Sequence, residues 1–584
     1  MQRDSATAKW SGIAPAPPDR AVGCGLRRPA PDEPADAAKP EAAVALSVAC
    51  STIEERARVA SSMSRALADH VYVAPRIHGA LPATFPRRLD AALYLVRPLG
   101  AGIYGSVCAS GFRQSPSPVT LATALSSEAA ASSAESAFWL PPPAISSSSS
   151  TPLTPLAPPP PLRDLTRLPL AVKVTPGGAR PAVAVRESLL TDMLSALVKI
   201  RACPNLPCVY GTAVAYPTPT EVASARLKGE VPAGSVDIFQ EMADCDLAAW
   251  MTNGPLRSEA EWMSVVFQVC AGIAWAARVY DIVNNDMYGR NVLLSRILAP
   301  TTPASSIDAE ARAAARGSTC TRNGAPCPGG PVFRYALQSR AYGWRRFAVR
   351  TKCWLARPTD YALATSDRLR ALGVDVAGHD GLASIYGPTP PDTSGPAPTT
   401  PTPASLASLV AAGNTESRHV IFHPYLNAYA RDVAVLLATV AYGARAPLAV
   451  RQWAVNGLYT LYADVVARQP VAAPVAEPGV SPLFVAVVRA AQRSTAPSVL
   501  NRAFRQPDDL IDFMVGVLFD EAALSRAGLP SGLFADDAAA VATAGNQFFA
   551  LPLLDTPPPV EPIVFGAPSP APLQAVARAL GVPL

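Results

Sequence analysis

The chain has 584 residues, of which 62 are proline and 16% are charged, and its formal net charge is +5. Length alone would allow several domains, but much of the proline lies in Ala/Ser/Thr/Pro tracts that cannot bury a core, which predicts one large folded unit broken by disordered inserts. So small a charge, with no dense Lys/Arg stripe, argues against nucleic-acid or membrane-surface partners.

Ten cysteines are scattered without a CxxC pair, and no histidine cluster accompanies Cys203/Cys208 or Cys320/Cys327. That favours reduced thiols over a zinc site. The stretch "MQRDSATAKWSGIAPAPPDR" has no apolar core of the signal-peptide kind. The longest apolar stretches carry Gln268, Arg278 or Arg445 and read as buried helices rather than membrane spans. An intracellular, soluble protein is expected.

In chain order, residues 1–80 are rich in Ala and Pro and expected to be largely disordered, with one short helical pattern in "STIEERARVASSMSRALADH". "LYLVRPLGAGIYGSVCAS" reads as strand, glycine turn, strand. A low-complexity insert follows over about 113–163. Order resumes with "LPLAVKV", a short strand, "VAVRESLLTDMLSALVKI", an amphipathic helix, and "VDIFQEMA", another strand. A long helix begins at Ser258, with Glu261 three residues later completing a capping box. Inserts at about 299–331 and 385–408 flank "RRFAVRTKCWLARPTDYALA", which has strand character. The remainder is helix-rich: "YARDVAVLLATVAYG", "VRQWAVNGLYTLYADVVAR", "SPLFVAVVRAAQR" and "PDDLIDFMVGVLFDEAALSRAG". Strands with one helix first and helices afterwards predict an α+β protein with a small sheet-rich lobe and a larger helical lobe.

Three features carry chemistry. Gly100, Gly102 and Gly105 form a GxGxxG turn between two strands, where glycine lets backbone N–H groups approach phosphate oxygens. A dinucleotide fold would need a helix directly after the glycines, and "SVCAS" is strand-like instead. Lys173 lies among aliphatics in "LAVKV", ahead of a helix bearing Glu187. A buried Lys–Glu pair costs desolvation unless its heads also meet ligand or solvent, which tilts Lys173 towards phosphate binding. In "NNDMYGRNVLL", Asp286 and Asn291 lie five positions apart before an aliphatic exit: a carboxylate for a hydroxyl proton and a neutral oxygen for a hard cation.

Together these segments resemble the protein kinase superfamily. The glycine loop is matched by Gly100, Gly102 and Gly105, the Val-Ala-Ile-Lys strand by "LAVKV" with Lys173, and the helix-C glutamate by Glu187. "CPNLPCVYG" is similar to the segment before the next strand, and "IFQEMADCDLAAWM" to the strand leading into the hinge. The resemblance implies a bilobal kinase-like fold, with an N-lobe and hinge over 81–250, a C-lobe over 251–545 and a Pro-rich tail over 546–584. It implies ATP and Mg2+, with Val107, Ala171, Glu241 and Met242 beside the nucleotide. Asp286 becomes the catalytic base, and Asn291 and Asp360 of "PTDYALA" become the metal ligands. Asp432 in "YARDVAVLL" would brace the catalytic loop.

Three departures qualify the match. Asn284-Asn285 stands for His-Arg, which leaves an activation-loop phosphate no arginine beside Asp286. Tyr288 stands for a phosphate-binding lysine, although Arg290 supplies a cation four residues after Asp286, as in tyrosine-kinase loops. Ala362 stands for the glycine of Asp-Phe-Gly. The expected activity is phosphoryl transfer to a protein hydroxyl, Ser/Thr ahead of Tyr, with the Pro-rich tracts as possible recruiters of partners. The alternatives are an inert pseudokinase scaffold, a small-molecule kinase of aminoglycoside or choline type, and a non-enzymatic interaction protein. Drifted motifs with Ala/Pro-rich inserts resemble the divergent kinases of large DNA viruses.

Overall fold

The computed structural model describes residues 93–101, 106–112, 170–176, 181–215, 235–253, 256–297, 331–366, 428–443, 445–468, 506–530 and 549–554. It also describes residues 56–57, 59–60, 63–64, 227, 321–322, 325–326, 368, 578 and 580. The three long inserts, Gly102, Gly105 and "SPLFVAVVRAAQR" lie wholly or almost wholly outside these residues.

The described part is α+β. Strands β1 (Leu93–Ala101), β2 (Ser106–Phe112), β3 (Leu170–Pro176), β4 (Val209–Ala215) and β5 (Ser235–Glu241) form one antiparallel sheet in the order β1-β2-β3-β5-β4. Helix α1 (Pro181–Lys199) connects β3 to β4 and buries Leu190, Met193, Leu194, Leu197 and Val198.

Beyond β5 come β6 (Cys245–Asp246), α2 (Leu247–Thr252) and the long α3 (Glu259–Tyr280). The Ser258/Glu261 capping box opens α3 as expected, and Asp281 closes it in a left-handed cap. Every residue from Trp262 to Tyr280 is buried. A helix apolar all round must be a core or membrane helix, and α3, the one described helix long and apolar enough to cross a membrane, is core. After it come β7 (Val292–Arg296), the short ladder of β8 (Thr321–Arg322) and β9 (Ala325–Pro326), and then β10 (Val332–Ser339), β11 (Gly343–Arg350) and β12 (Trp354–Pro358), the strand against which α3 packs. Strand β12 pairs with β7, whose other neighbour is β6. Helices α4 (Ala428–Tyr442), α5 (Leu448–Arg468), α6 (Pro507–Phe513) and α7 (Glu521–Arg526) complete the helical half, with β13 (Phe549–Leu551) near the C-terminus.

The described residues among 56–64 are helical, as the pattern noted in that stretch suggests, and packed, with Ala60 and Met63 fully buried. Three expectations are refined. Residues 549–551, assigned to a Pro-rich tail, pair in parallel with β10, burying Phe549 and Leu551. "PDDLIDFMVGVLFDEAALSRAG", expected to be helix-rich, is α6, a π-helical turn (Met514–Leu518) and α7, with Asp520 capping the last. Cys203, Cys208, Cys245 and Cys270 are free thiols, whereas Cys353 is disulfide-bonded.

Candidate active site

The site is assembled where the five-stranded sheet meets the loop after α3. Register places Val107 opposite Lys173 and Ala171 opposite Gln240. Side chains alternate along a strand, so Val107, Ala171, Lys173 and Gln240 share one sheet face, while Glu241, opposite Leu170, projects from the other. Gly100 ends an irregular pairing of β1 and lies opposite Val107.

Lys173 is buried and bridges two carboxylates: Nζ lies 2.5 Å from Glu187 Oε1 and 2.8 Å from Asp360 Oδ1. Burial alone would lower its pKa, but the two carboxylates outweigh burial and hold it above the ordinary lysine value. For Glu187, burial pushes the carboxyl up against the pull of Lys173, and Asp360 adds repulsion. Burial also pushes at Asp360, yet Lys173 and the Ala362 N–H keep it below the usual carboxylate range. A desolvated cation between two anions is a poor source of stability, which makes it a functional signal.

The loop below is held from several directions. Asp432, near the start of α4, accepts the Asn284 N–H at 2.7 Å and the Asn285 N–H at 2.8 Å, one on each carboxylate oxygen. Asn284 Nδ2 donates to the Thr359 and Asp360 carbonyls, and its Oδ1 accepts the Asp286 N–H at 3.0 Å. Asn285, at φ 65°, donates to the Leu363 carbonyl and Thr365 Oγ1 and accepts from Arg431. The two asparagines thus tie the loop to residues 359–365 through their side-chain amides. Asn291 Nδ2 donates to the Asp286 carbonyl at 2.7 Å and to Asp286 Oδ2 at 2.8 Å. The Thr359 N–H returns to the Asn291 carbonyl, locking the end of β12 to the start of β7.

Burial, with the Asp360 charge nearby, pushes Asp286 up to about 7 against the Asn291 hydrogen bond. Arg290 is exposed and lies close enough to pull in the opposite direction. Asp360 has φ 55°, while Ala362 is not among the positive-φ residues. The left-handed position therefore falls on an Asp, which tolerates it, and the missing glycine at 362 leaves no strain there. Arg186 donates to the Ala362 carbonyl, fixing the turn against α1.

Glu241 is placed differently from Ala171 and Val107. Its carboxylate points away from Lys173 into an ion pair with Arg56 and Arg357. The residues that sequence reasoning missed are these two arginines and Gln240. Arg56 and Glu241 are 185 positions apart, and no local pattern links them.

The donors around Lys173 suit a hard cation. Asn291 spends its Nδ2 on Asp286, which leaves its Oδ1 as the ligand atom, and Asp360 adds a carboxylate. Among the described residues no group of three or more His, Cys, Asp or Glu could form a protein-only metal cage. Mg2+ is commonly held by one or two carboxylates together with substrate phosphates, and this oxygen set fits that pattern. No protein-family model and no curated protein matches the chain.

Proposed function

We propose that the chain is a protein-kinase-type phosphotransferase with a bilobal fold, moving the γ-phosphoryl group of ATP to a protein hydroxyl. The observation that carries this reading is Lys173 held between Glu187 and Asp360 above an Asp286–Asn291 pair. Residues spread over 187 positions meet there, and they are the ones to which the sequence resemblance gives catalytic roles, which supports the reading.

Lys173 meets phosphate oxygens with its ammonium, and Glu187 fixes its direction. Val107 and Ala171 offer an apolar wall to the adenine, with Met242 beyond the end of β5. Asp286 accepts the proton of the attacking hydroxyl as the new O–P bond forms, the bond to the β-phosphate oxygen breaks and ADP leaves. Asn291 and Asp360 would hold Mg2+, which neutralises developing phosphate charge. Arg290 stands at the exposed rim, where a cation can meet the transferring group.

Full-length protein with Mg·ATP labelled at the γ-phosphate should label itself or a generic protein substrate. A wild type that transfers nothing but melts higher with ATP would be a nucleotide-binding scaffold. Transfer restricted to small alcohols or aminoglycosides would place it with small-molecule kinases.

A further inference from the structure

The face of β5 turned away from Lys173 carries a second charge cluster. Glu241 Oε2 accepts from Arg56 Nε at 2.9 Å and from Arg357 Nη1 at 2.6 Å. Arg56 also donates to the Pro204 and Leu206 carbonyls, the latter at 2.8 Å, and Arg357 Nη2 reaches the Met242 carbonyl at 3.3 Å. Both arginines are buried, at 3% and 1% exposure.

Bringing two guanidiniums and a carboxylate together out of water costs desolvation. Apolar residues of similar volume are often as stabilising as such a triad, so stability is a weak reason for having one; fixing a geometry is its better attested use. The geometry at stake is specific. Glu241 ends β5, directly before Met242, and Arg357 belongs to β12, three residues before Asp360. Arg56 is one of the described helical residues (56–57, 59–60 and 63–64) and grips the loop between α1 and β4 as well. A neighbouring neutral network holds the same strand: Asn205 Nδ2 donates to Gln268 Oε1 and the Ala356 carbonyl, and the Ala356 N–H donates back to Gln268 Oε1.

We propose that Arg56 and Arg357 are positioning residues that clamp Glu241, fixing the connection at Met242 relative to Asp360. The segment around residue 56 is then an intrinsic part of the nucleotide site rather than a dispensable leader. This rests on the phosphotransferase reading, in which Met242 borders adenine and Asp360 borders the phosphates. With the clamp loosened, adenine and phosphates cannot both be met in one arrangement, and nucleotide affinity falls while Lys173, Asp286 and Asn291 stay in place.

The test uses full-length wild type, Arg56→Ala, Arg56→Lys and Arg357→Met, each assayed well below its own Tm. KM for ATP, kcat for transfer and Kd for Mg·ADP are measured. Arg56→Ala and Arg357→Met should raise KM and Kd about tenfold with kcat within about threefold, a split that marks lost binding geometry rather than lost chemistry. Arg56→Lys keeps the charge but loses the fork that reaches the carboxylate and both carbonyls, so it should rescue only partly. A purely structural role would lower Tm and leave KM and Kd within twofold, which overturns the proposal. If Arg56→Ala fails to fold, the Lys variant and Arg357→Met carry the same readout. Wild type that binds Mg·ADP without transferring phosphate refutes the phosphotransferase reading, while the Kd comparison still decides the clamp. Wild type that binds no nucleotide overturns both.

Discussion

Asp432 shows how much one side chain can determine. It receives two successive backbone N–H groups and so fixes the left-handed turn at Asn285 that aims Asp286. Burial pushes its carboxyl up to about 6, against those two hydrogen bonds. A folded-state pKa above the unfolded one means that the native chain keeps a proton that the unfolded chain has released. This group therefore draws stability down as pH rises from about 4 to about 6. Asp432→Asn removes that titration, and Tm measured from pH 4 to 6.5 should fall less, or rise more, with pH in the variant than in wild type; parallel curves would contradict the assignment. Asp360→Ala removes the carboxylate from Lys173 and should cut transfer about a hundredfold or more, the scale of losing a preorganised charge contact; unchanged activity would remove Asp360 from the site. The pairing of Asp286 with Asn291 was legible because their chemistry lies within five residues. The turn of Glu241 away from Lys173 was not, because its partners come from distant segments.

At the scale of elements, α3 was readable end to end, since a capping box and a long apolar run are both local signals. Ser258→Ala should cost about 1 kcal/mol by removing the cap, measured by denaturant unfolding. Gly272 is a sharper case. A Cβ there would stand 2.2 Å from the Asn205 carbonyl oxygen and 3.0 Å from Pro358 Cδ. Helix propensity favours Gly272→Ala by up to about 1 kcal/mol, but backbone cannot yield as a flexible side chain does, and overpacking costs about 1–3 kcal/mol. Net destabilisation is expected, and a stabilised variant would refute so close an approach. Strand β10 escaped sequence reading because its buried face, Phe333, Tyr335, Leu337 and Ser339, ends on a polar residue, while the opposite face mixes Val332 and Ala336 with Arg334 and Gln338. Strand β13 is only three residues long and gains its burial from its partner. The π-helical turn was hidden inside an apolar run. It sets Gly516 beneath the Tyr342 ring, where a Cβ would lie 2.4 Å from ring atoms.

At the scale of the molecule, the five-stranded sheet and the helical half meet through charged and amide contacts as well as apolar ones. Lys173 reaches Asp360, Arg186 reaches Ala362, Asn205 reaches Gln268, and Arg56 with Arg357 grips Glu241. Three of these residues, Arg357, Asp360 and Ala362, lie in or just after β12, within six positions of one another. That strand and the turn after it form the common rail to which Lys173, Arg186 and Glu241 are tied. The division into strands first and helices afterwards was visible in the sequence; this rail was not, because its partners come from every part of the chain.

The central claim is that Asp286 takes the hydroxyl proton during phosphoryl transfer. Asp286→Asn keeps the size of the side chain and can retain a contact with Asn291, while removing the base. The direct measurement is the transfer rate from Mg·ATP at pH 7.5 for wild type and variant, with Tm recorded for both. The account predicts a fall of about 10²–10⁴-fold, the usual contribution of a general base, with Tm not lowered. Transfer by Asp286→Asn at close to the wild-type rate would contradict it.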